Sequence, residues 1–181
     1  MKRKNITTDM MKSYIIESLF ILLQEKNFDK ITINEITIKA GVNRSTYYRN
    51  FNSKEDIIRV YFSDVMNGYL NEFRNAKDQS NENYMFIIFN NLYKNKERLL
   101  LIYKNKLSYL ILDELNAYFE KNNDITTKGE KYKGYFHTGG IYNFMNLWFS
   151  NGMEDTPNEL MKLSIEYLNM QSRPTIVETS V

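Results

Sequence analysis

Between Thr32 and Ser53 the chain carries helix start and stop signals spaced so closely that only short helices can fit. The Thr32 hydroxyl can cap free backbone N–H groups, and Glu35 sits at the third helical position to reach back, which makes a capping box. Ile33, Ile36 and Ala40 then fall on one face at helical spacing. Gly41 follows, the residue type that ends a helix with positive φ at no steric cost. Asn43 caps a second helix, Arg44-Ser45-Thr46-Tyr47-Tyr48-Arg49, with Phe51 packed behind it. Ser53-Lys54-Glu55-Asp56 opens a further helix with another capping box. Ile31-Thr32-Ile33 and Ile36-Thr37-Ile38 also alternate with period two and are β-branched, which alone would suggest strands. The caps and Gly41 favour helices.

Phe28 ahead of Ile31-Thr32, the Ala40-Gly41-Val42 turn, Thr46-Tyr47-Tyr48 with Phe51, and Ser53-Lys54-Glu55 together resemble a known domain. It is the N-terminal DNA-binding domain of the tetracycline-repressor (TetR/AcrR) family. The resemblance runs over roughly residues 8–66, and a generic helix-turn-helix does not require this aromatic pair followed by Phe and Ser-Lys-Glu. It settles the choice between strand and helix. It also implies an all-α fold: a three-helix helix-turn-helix DNA-binding domain over residues 1–54 and a helical effector-binding and dimerisation domain over residues 55–171.

The rest of the chain agrees with a helical reading. Only two prolines, Pro157 and Pro174, and seven glycines leave long stretches uninterrupted. Thr156-Pro157-Asn158-Glu159 reads as a helix start, with Thr as cap, Pro at the first helical position and Glu closing the box. About nine helices are expected, over 8–26, 32–40, 44–50, 54–75, 82–93, 96–106, 108–122, 131–151 and 157–171. Lys121 to Lys128 reads as a polar connection, and residues 172–181, without apolar periodicity, read as a frayed tail.

Zero Cys removes disulfides, zinc–cysteine sites and thiol catalysis, and fits a reducing cytoplasm. No apolar run approaches the roughly 18 residues of a membrane span. Lys2-Arg3-Lys4 precedes an apolar stretch, but Glu17 interrupts it and no small-residue cleavage site follows, so no signal peptide is expected. The net charge of +2 divides unevenly. Residues 1–54 hold ten Lys/Arg against five Asp/Glu, and the remainder holds 14 against 17. A basic end on a mildly acidic body fits one end touching phosphate and the other not.

Ile15, Leu19, Leu22 and Ile16, Phe20, Leu23 form two adjacent i, i+4, i+7 rows on the first helix, a buried stripe holding the head together. Asn27 stands where a left-handed helix end is tolerated. Val42, Ile36 and Phe51 belong to the core between the paired helices. By resemblance Tyr47 faces inward and Tyr48 outward. Resemblance also places phosphate contacts at Thr32 with its helix N-terminal amides, Thr46, Tyr48 and Lys54, each able to donate a hydrogen bond. Base readout falls to Arg44 and Ser45, with Asn34 from the preceding helix. Asn50 either reaches phosphate or ends the helix. Lys2-Arg3-Lys4 is read as a basic tail rather than a minor-groove arm. One head makes too few contacts for tight binding at cellular salt, which points to a homodimer on a palindromic double-stranded operator.

Two stripes suit a dimer interface: Ile141, Phe144, Met145 and Trp148, then Leu160, Leu163, Ser164 and Tyr167. Gly139-Gly140, near the start of the eighth helix, permits close backbone approach. Residues 135–168, with the Trp148-Phe149-Ser150-Asn151-Gly152-Met153 helix exit, are similar to C-terminal domains of TetR-type regulators from low-GC Gram-positive bacteria.

The family resemblance implies a small-molecule effector in a cavity of the body. Its walls would come from Phe62, Met66, Phe86, Phe89, Tyr103, Tyr109, Tyr118, Phe136 and His137, although aromatic stripes at helical spacing are more often core. By the same logic, effector binding would swing the fourth helix and change the spacing of the two heads. An alternative keeps the head but gives the body a protein partner, marked by an exposed apolar patch instead of a cavity. No cofactor, metal site or catalytic residue is expected. His137 is the single His, there is no glycine phosphate loop or serine elbow, and the adjacent pairs Asp113-Glu114 and Glu154-Asp155 diverge on a helix as solvated charge.

Overall fold

The computed structural model describes the backbone of residues 2–122 and 125–169, with side chains over 8–121 and 125–166. Within them nine α-helices run in chain order: α1 Lys2–Glu25, α2 Ile33–Ala40, α3 Arg44–Asn50, α4 Lys54–Arg74 and α5 Asn81–Lys94. They continue with α6 Lys96–Lys104, α7 Tyr109–Asn122, α8 Lys128–Ser150 and α9 Pro157–Asn169. A single 3-10 turn, Phe28–Lys30, joins α1 to α2. The expected tail, residues 172–181, lies outside the described residues.

The caps read from sequence form as expected at α2 and α9. Thr32 accepts from the Glu35 amide, and Glu35 Oε2 takes both the Thr32 amide and its hydroxyl, at 2.9 Å each. The same reciprocal pattern joins Thr156 and Glu159. Ser53 caps α4 by accepting from the Asp56 amide, but Asp56 returns its bond to Asn52 N–H at 3.0 Å, one residue earlier than a capping box requires. α8 starts earlier than expected. Thr127 and Glu130 make a capping box inside the stretch read as a connection, and Gly139-Gly140 therefore lies in mid-helix. Two further corrections fall in the head. α1 begins at Lys2, so Lys2-Arg3-Lys4 belongs to its first turn rather than to a tail. Asn27 is extended (φ −63°, ψ 146°) and opens the 3-10 turn rather than adopting a left-handed helix end.

Both rows of α1 are buried: Ile15, Leu19 and Leu22, with Ile16, Phe20 and Leu23. They close over Ile36, Tyr47, Phe51, Ile57 and Ile58, so α1, α2, α3 and the first turns of α4 share one apolar centre. Burying a side chain of this kind is worth roughly 1.5–3 kcal/mol. α4 then continues into the body, where Phe62, Val65, Met66 and Tyr69 meet α5 and α7. α5 packs on α9, α7 on α8, and α6 touches α1, α5 and α8.

Polar links tie head to body across these contacts. Arg98 on α6 pairs with Glu17 on α1 and lies over the rings of Phe20 and Tyr61. Tyr61 donates to Asn95 Oδ1 at 2.9 Å. Asp113 and Glu114 do not diverge into solvent: Arg59 of α4 lies 2.7 Å from Asp113 and 3.9 Å from Glu114. Burial raises the Glu114 carboxyl above its ordinary value, and Arg59 opposes that rise.

Candidate nucleic-acid interface

The angle between α2 and α3 follows from one glycine. Gly41 adopts φ 65°, ψ 30°, and its N–H closes the end of α2 onto Ile38 and Thr37 carbonyls. A β-carbon there would sit in the left-handed region that side chains rarely adopt. Asn43 then caps α3 through the Thr46 amide at 2.8 Å. Tyr47 and Phe51 anchor the helix from behind with rings 6.1 Å apart.

The outward residues of α3 are Arg44, Ser45, Tyr48 and Arg49. Tyr48 is 53% exposed beside a fully buried Tyr47, with the two rings edge to face at 5.2 Å. Arg44 Nη2 reaches the Tyr48 hydroxyl at 3.5 Å, one turn along the same face. Ser45 donates to Asn43 Oδ1 at 2.7 Å. Thr32 and Asn34 are exposed at the start of α2, where the helix offers free backbone N–H groups. One basic exposed face thus holds Arg44 and Tyr48, with the α2 N-terminus presented separately.

Three expected contact residues are engaged inside the protein. Thr46 is buried, and its hydroxyl accepts from Arg49 Nη2 at 3.0 Å. Asn50 folds back to donate to the Thr46 carbonyl at 2.7 Å, so it ends the helix. Lys54 Nζ donates to the carbonyls of Phe28 at 2.8 Å and Ile31 at 2.6 Å, and lies 4.4 Å from the Phe28 ring. An ammonium carries three donors, so one remains for an outside acceptor. Arg49 is the exposed cation that sequence reasoning passed over; its basic charge on a short capped helix was the available signal.

Electrostatics in the head divide between a tether and an orphan. A hydrogen bond from Lys26, followed by those from Thr32, holds the Glu35 carboxyl down to about 2. This ties the end of α1 to the start of α2. The Tyr47 hydroxyl is buried without a hydrogen-bond partner, and burial, with smaller contributions from its neighbours' charges, pushes its phenol up to about 12.

The nine expected effector-wall residues are not brought together. Phe62, Met66 and Phe89 are packed into the core at 1–3% exposure. Phe86 and Tyr118 are half-buried. Phe136 is 84% exposed and His137 is also exposed, whereas their neighbours Gly134 and Thr138 face α7. Only Tyr103 and Tyr109 meet, in an open groove of about 400 Å³ shared with Lys106, Ser108, Tyr142 and Asn146.

The expected dimer stripe is likewise the inward face. Met145, Trp148, Leu160 and Ser164 are buried within the chain, and Ile141 and Phe144 pack against the core. Trp148 stacks among Phe89, Tyr93 and Phe149, and its indole N–H donates to the Asp155 carbonyl at 3.1 Å. Leu163 is exposed, and the Tyr167 side chain lies outside the described residues. The outward stripe of α8 is instead Tyr132, Phe136, Gly140, Asn143 and Leu147, where Phe136 and Leu147 are mostly exposed.

A family model described as bacterial regulatory proteins, tetR family, matches residues 15–61. The fold is similar to that of a TetR transcriptional regulator from Streptococcus agalactiae 2603V, with TM-score 0.60 at 19% identity. That likeness covers 93% of this chain and 99% of the other. A fatty acid degradation regulator, FadR, from Bacillus halodurans gives TM-score 0.56 at 20% identity, covering 90% and 97%. The dihydroxyacetone kinase operon activator DhaS gives 0.58 at 15%, covering 87% and 93%. At these identities the structural likenesses establish the fold. No curated protein matches the sequence. No helix among the described residues is long and apolar enough to cross a membrane.

Proposed function

We propose that this chain, whose residues 15–61 match the model of the tetR family of bacterial regulatory proteins, is a homodimeric repressor released from a palindromic operator by a small-molecule effector. The observation that carries the DNA-binding part is the division of labour on α3. Tyr47 and Phe51 lock the helix from behind while Arg44, Ser45 and Tyr48 stand outward. Arg44 would read base edges, and Tyr48, Thr32 and the α2 amides would hold phosphate.

The outer face of α8 supports self-association. Phe136 and Leu147 would be covered by a second copy. A β-carbon on Gly140 would meet nothing within 4 Å in its own chain, so the space above that glycine is available to a partner helix. The reading in which this face holds a different protein rests on the same exposed residues, and the oligomeric state of the isolated chain separates the two.

Selection from a random double-stranded DNA pool by the full-length protein tests the proposal. An enriched inverted repeat is the expected result, and Arg44→Ala should relax preference at defined base pairs of each half-site. Absence of any enriched sequence at low as well as physiological salt would overturn it.

A further inference from the structure

The turn between α6 and α7 faces two ways. On one side it walls the open groove of about 400 Å³ lined by Tyr103, Lys106, Ser108, Tyr109, Tyr142 and Asn146. On the other it holds the head. Asn105 Oδ1 accepts from the Phe28 amide at 2.9 Å, while Asn105 Nδ2 is fixed on the Leu101 carbonyl at 2.9 Å. Phe28 opens the 3-10 turn that leads directly into the Thr32 cap of α2.

The groove has a definite chemistry. Lys106 occupies a left-handed position (φ 60°) in the helix-ending turn, where its N–H bonds to the Tyr103 carbonyl and that of Leu107 to Ile102. Gly41 and Gly152 hold the same place in the turns that end α2 and α8, so the left-handed backbone at Lys106 is a helix cap and the chemistry of the site lies in its side chain. Lys106 is exposed and makes no ion pair among the described residues. No acidic residue lines the groove. Three tyrosines supply aromatic wall, and Asn146 Oδ1 is an acceptor shielded from solvent that receives no hydrogen bond. A ligand suited to these groups is flat, negatively charged at one end, and carries a donor.

We propose that this groove binds a planar aromatic acid bearing a hydrogen-bond donor, and that its occupancy reaches the DNA-binding helices through the Asn105–Phe28 hydrogen bond. The carboxylate pairs with Lys106, the ring lies among Tyr103, Tyr109 and Tyr142, and the donor satisfies Asn146 once its amide turns towards the groove. Binding shifts the turn that carries both Lys106 and Asn105. The Phe28 amide moves with Asn105, and with it the start of α2. The coupling to DNA rests on the regulator reading above, whereas the groove does not.

The probe is 4-hydroxybenzoate, titrated calorimetrically into the full-length protein without DNA, with 4-hydroxybenzyl alcohol as the neutral control. Lys106→Asn removes the cation with a residue that tolerates left-handed backbone, so the turn is retained. Saturable binding at one site per chain is expected, weakened by about tenfold or more in Lys106→Asn as a charge-assisted contact is lost. The weak binding of the alcohol should stay unchanged. In Asn105→Ala the acid should bind as in the native chain, but its effect on affinity for the selected DNA should vanish. Absence of saturable heat up to about 10 mM acid, or native affinity in Lys106→Asn, overturns the site. Full retention of the DNA response in Asn105→Ala overturns the coupling. A native chain that binds the acid and no DNA upholds the groove while overturning the regulator reading and the coupling with it.

Discussion

Gly134 of α8 lies directly beneath the ring of Phe119 of α7, so close that a β-carbon on Gly134 would come within 1.9 Å of ring atoms Cε1 and Cζ. The contact sets how near α7 and α8 can approach. Gly134→Ala must push the ring aside, at a cost of about 1–3 kcal/mol for overpacking. Gly140, six residues on, meets nothing within its chain. Gly140→Ala should therefore gain about 1 kcal/mol from helix propensity in the isolated chain. Urea midpoints of the two variants, measured at protein concentrations low enough to hold the chain monomeric, should move in opposite directions.

The buried face of α3 offers a second test. Removing the Tyr47 hydroxyl takes away a buried group with no partner, so Tyr47→Phe should be neutral or stabilising by up to about 1 kcal/mol. A loss of more than that would mean the hydroxyl has a partner, such as an enclosed water. Tyr48→Ala, by contrast, should leave the melting temperature alone and weaken DNA of every sequence alike.

Lys54 should behave unlike Tyr48. Its ammonium satisfies two carbonyls of the α1–α2 connection, so Lys54→Met strands both acceptors. Stability should fall by about 1–3 kcal/mol together with DNA affinity. Thermal melts that leave Lys54→Met equal to the native chain would sink the structural role.

Acid should act on the Glu35 tether. Its carboxyl titrates near 2 in the folded chain against an ordinary 4.5, so the folded form prefers it ionised. The stabilisation it gives is present above pH 4.5 and is lost as pH falls through that window towards 2. Glu35→Gln should flatten the decline of melting temperature across the same window and leave the neutral-pH side parallel to the native curve.

The outer stripe of α8 predicts the last outcome. Leu147→Arg places charge on an exposed apolar position, so the single chain should fold normally. Sedimentation velocity should find the native chain dimeric and this variant monomeric. A dimer that persists would move the interface elsewhere.

Local chemistry made the head legible in sequence. Thr32 with Glu35, Gly41, Asn43 and Ser53 act within a few residues of themselves, so a chain read left to right already contains their partners. The α1 rows were accessible for the same reason, as periodicity reports one helix at a time, whereas the opposed fates of Tyr47 and Tyr48 came from the family resemblance. The start of α8 could also have been read, since Thr127 and Glu130 are three residues apart, but a polar stretch masked it.

Only tertiary structure decided which stripe of α8 faces inward. Two apolar faces share that helix, and periodicity ranks them without saying which meets α7 and α6 and which meets solvent. The more apolar face, with Met145 and Trp148, is used within the chain. The same limit hid Lys54 and Asn105, whose partners lie 26 and 77 residues from them along the chain at Phe28. Sequence alone determined the helical class, most helix spans and the caps at Thr32, Gly41, Asn43 and Thr156, because those depend on neighbours in the chain. Which residues enclose a groove, and which turn of the body holds the head, was decided by packing between helices remote in sequence.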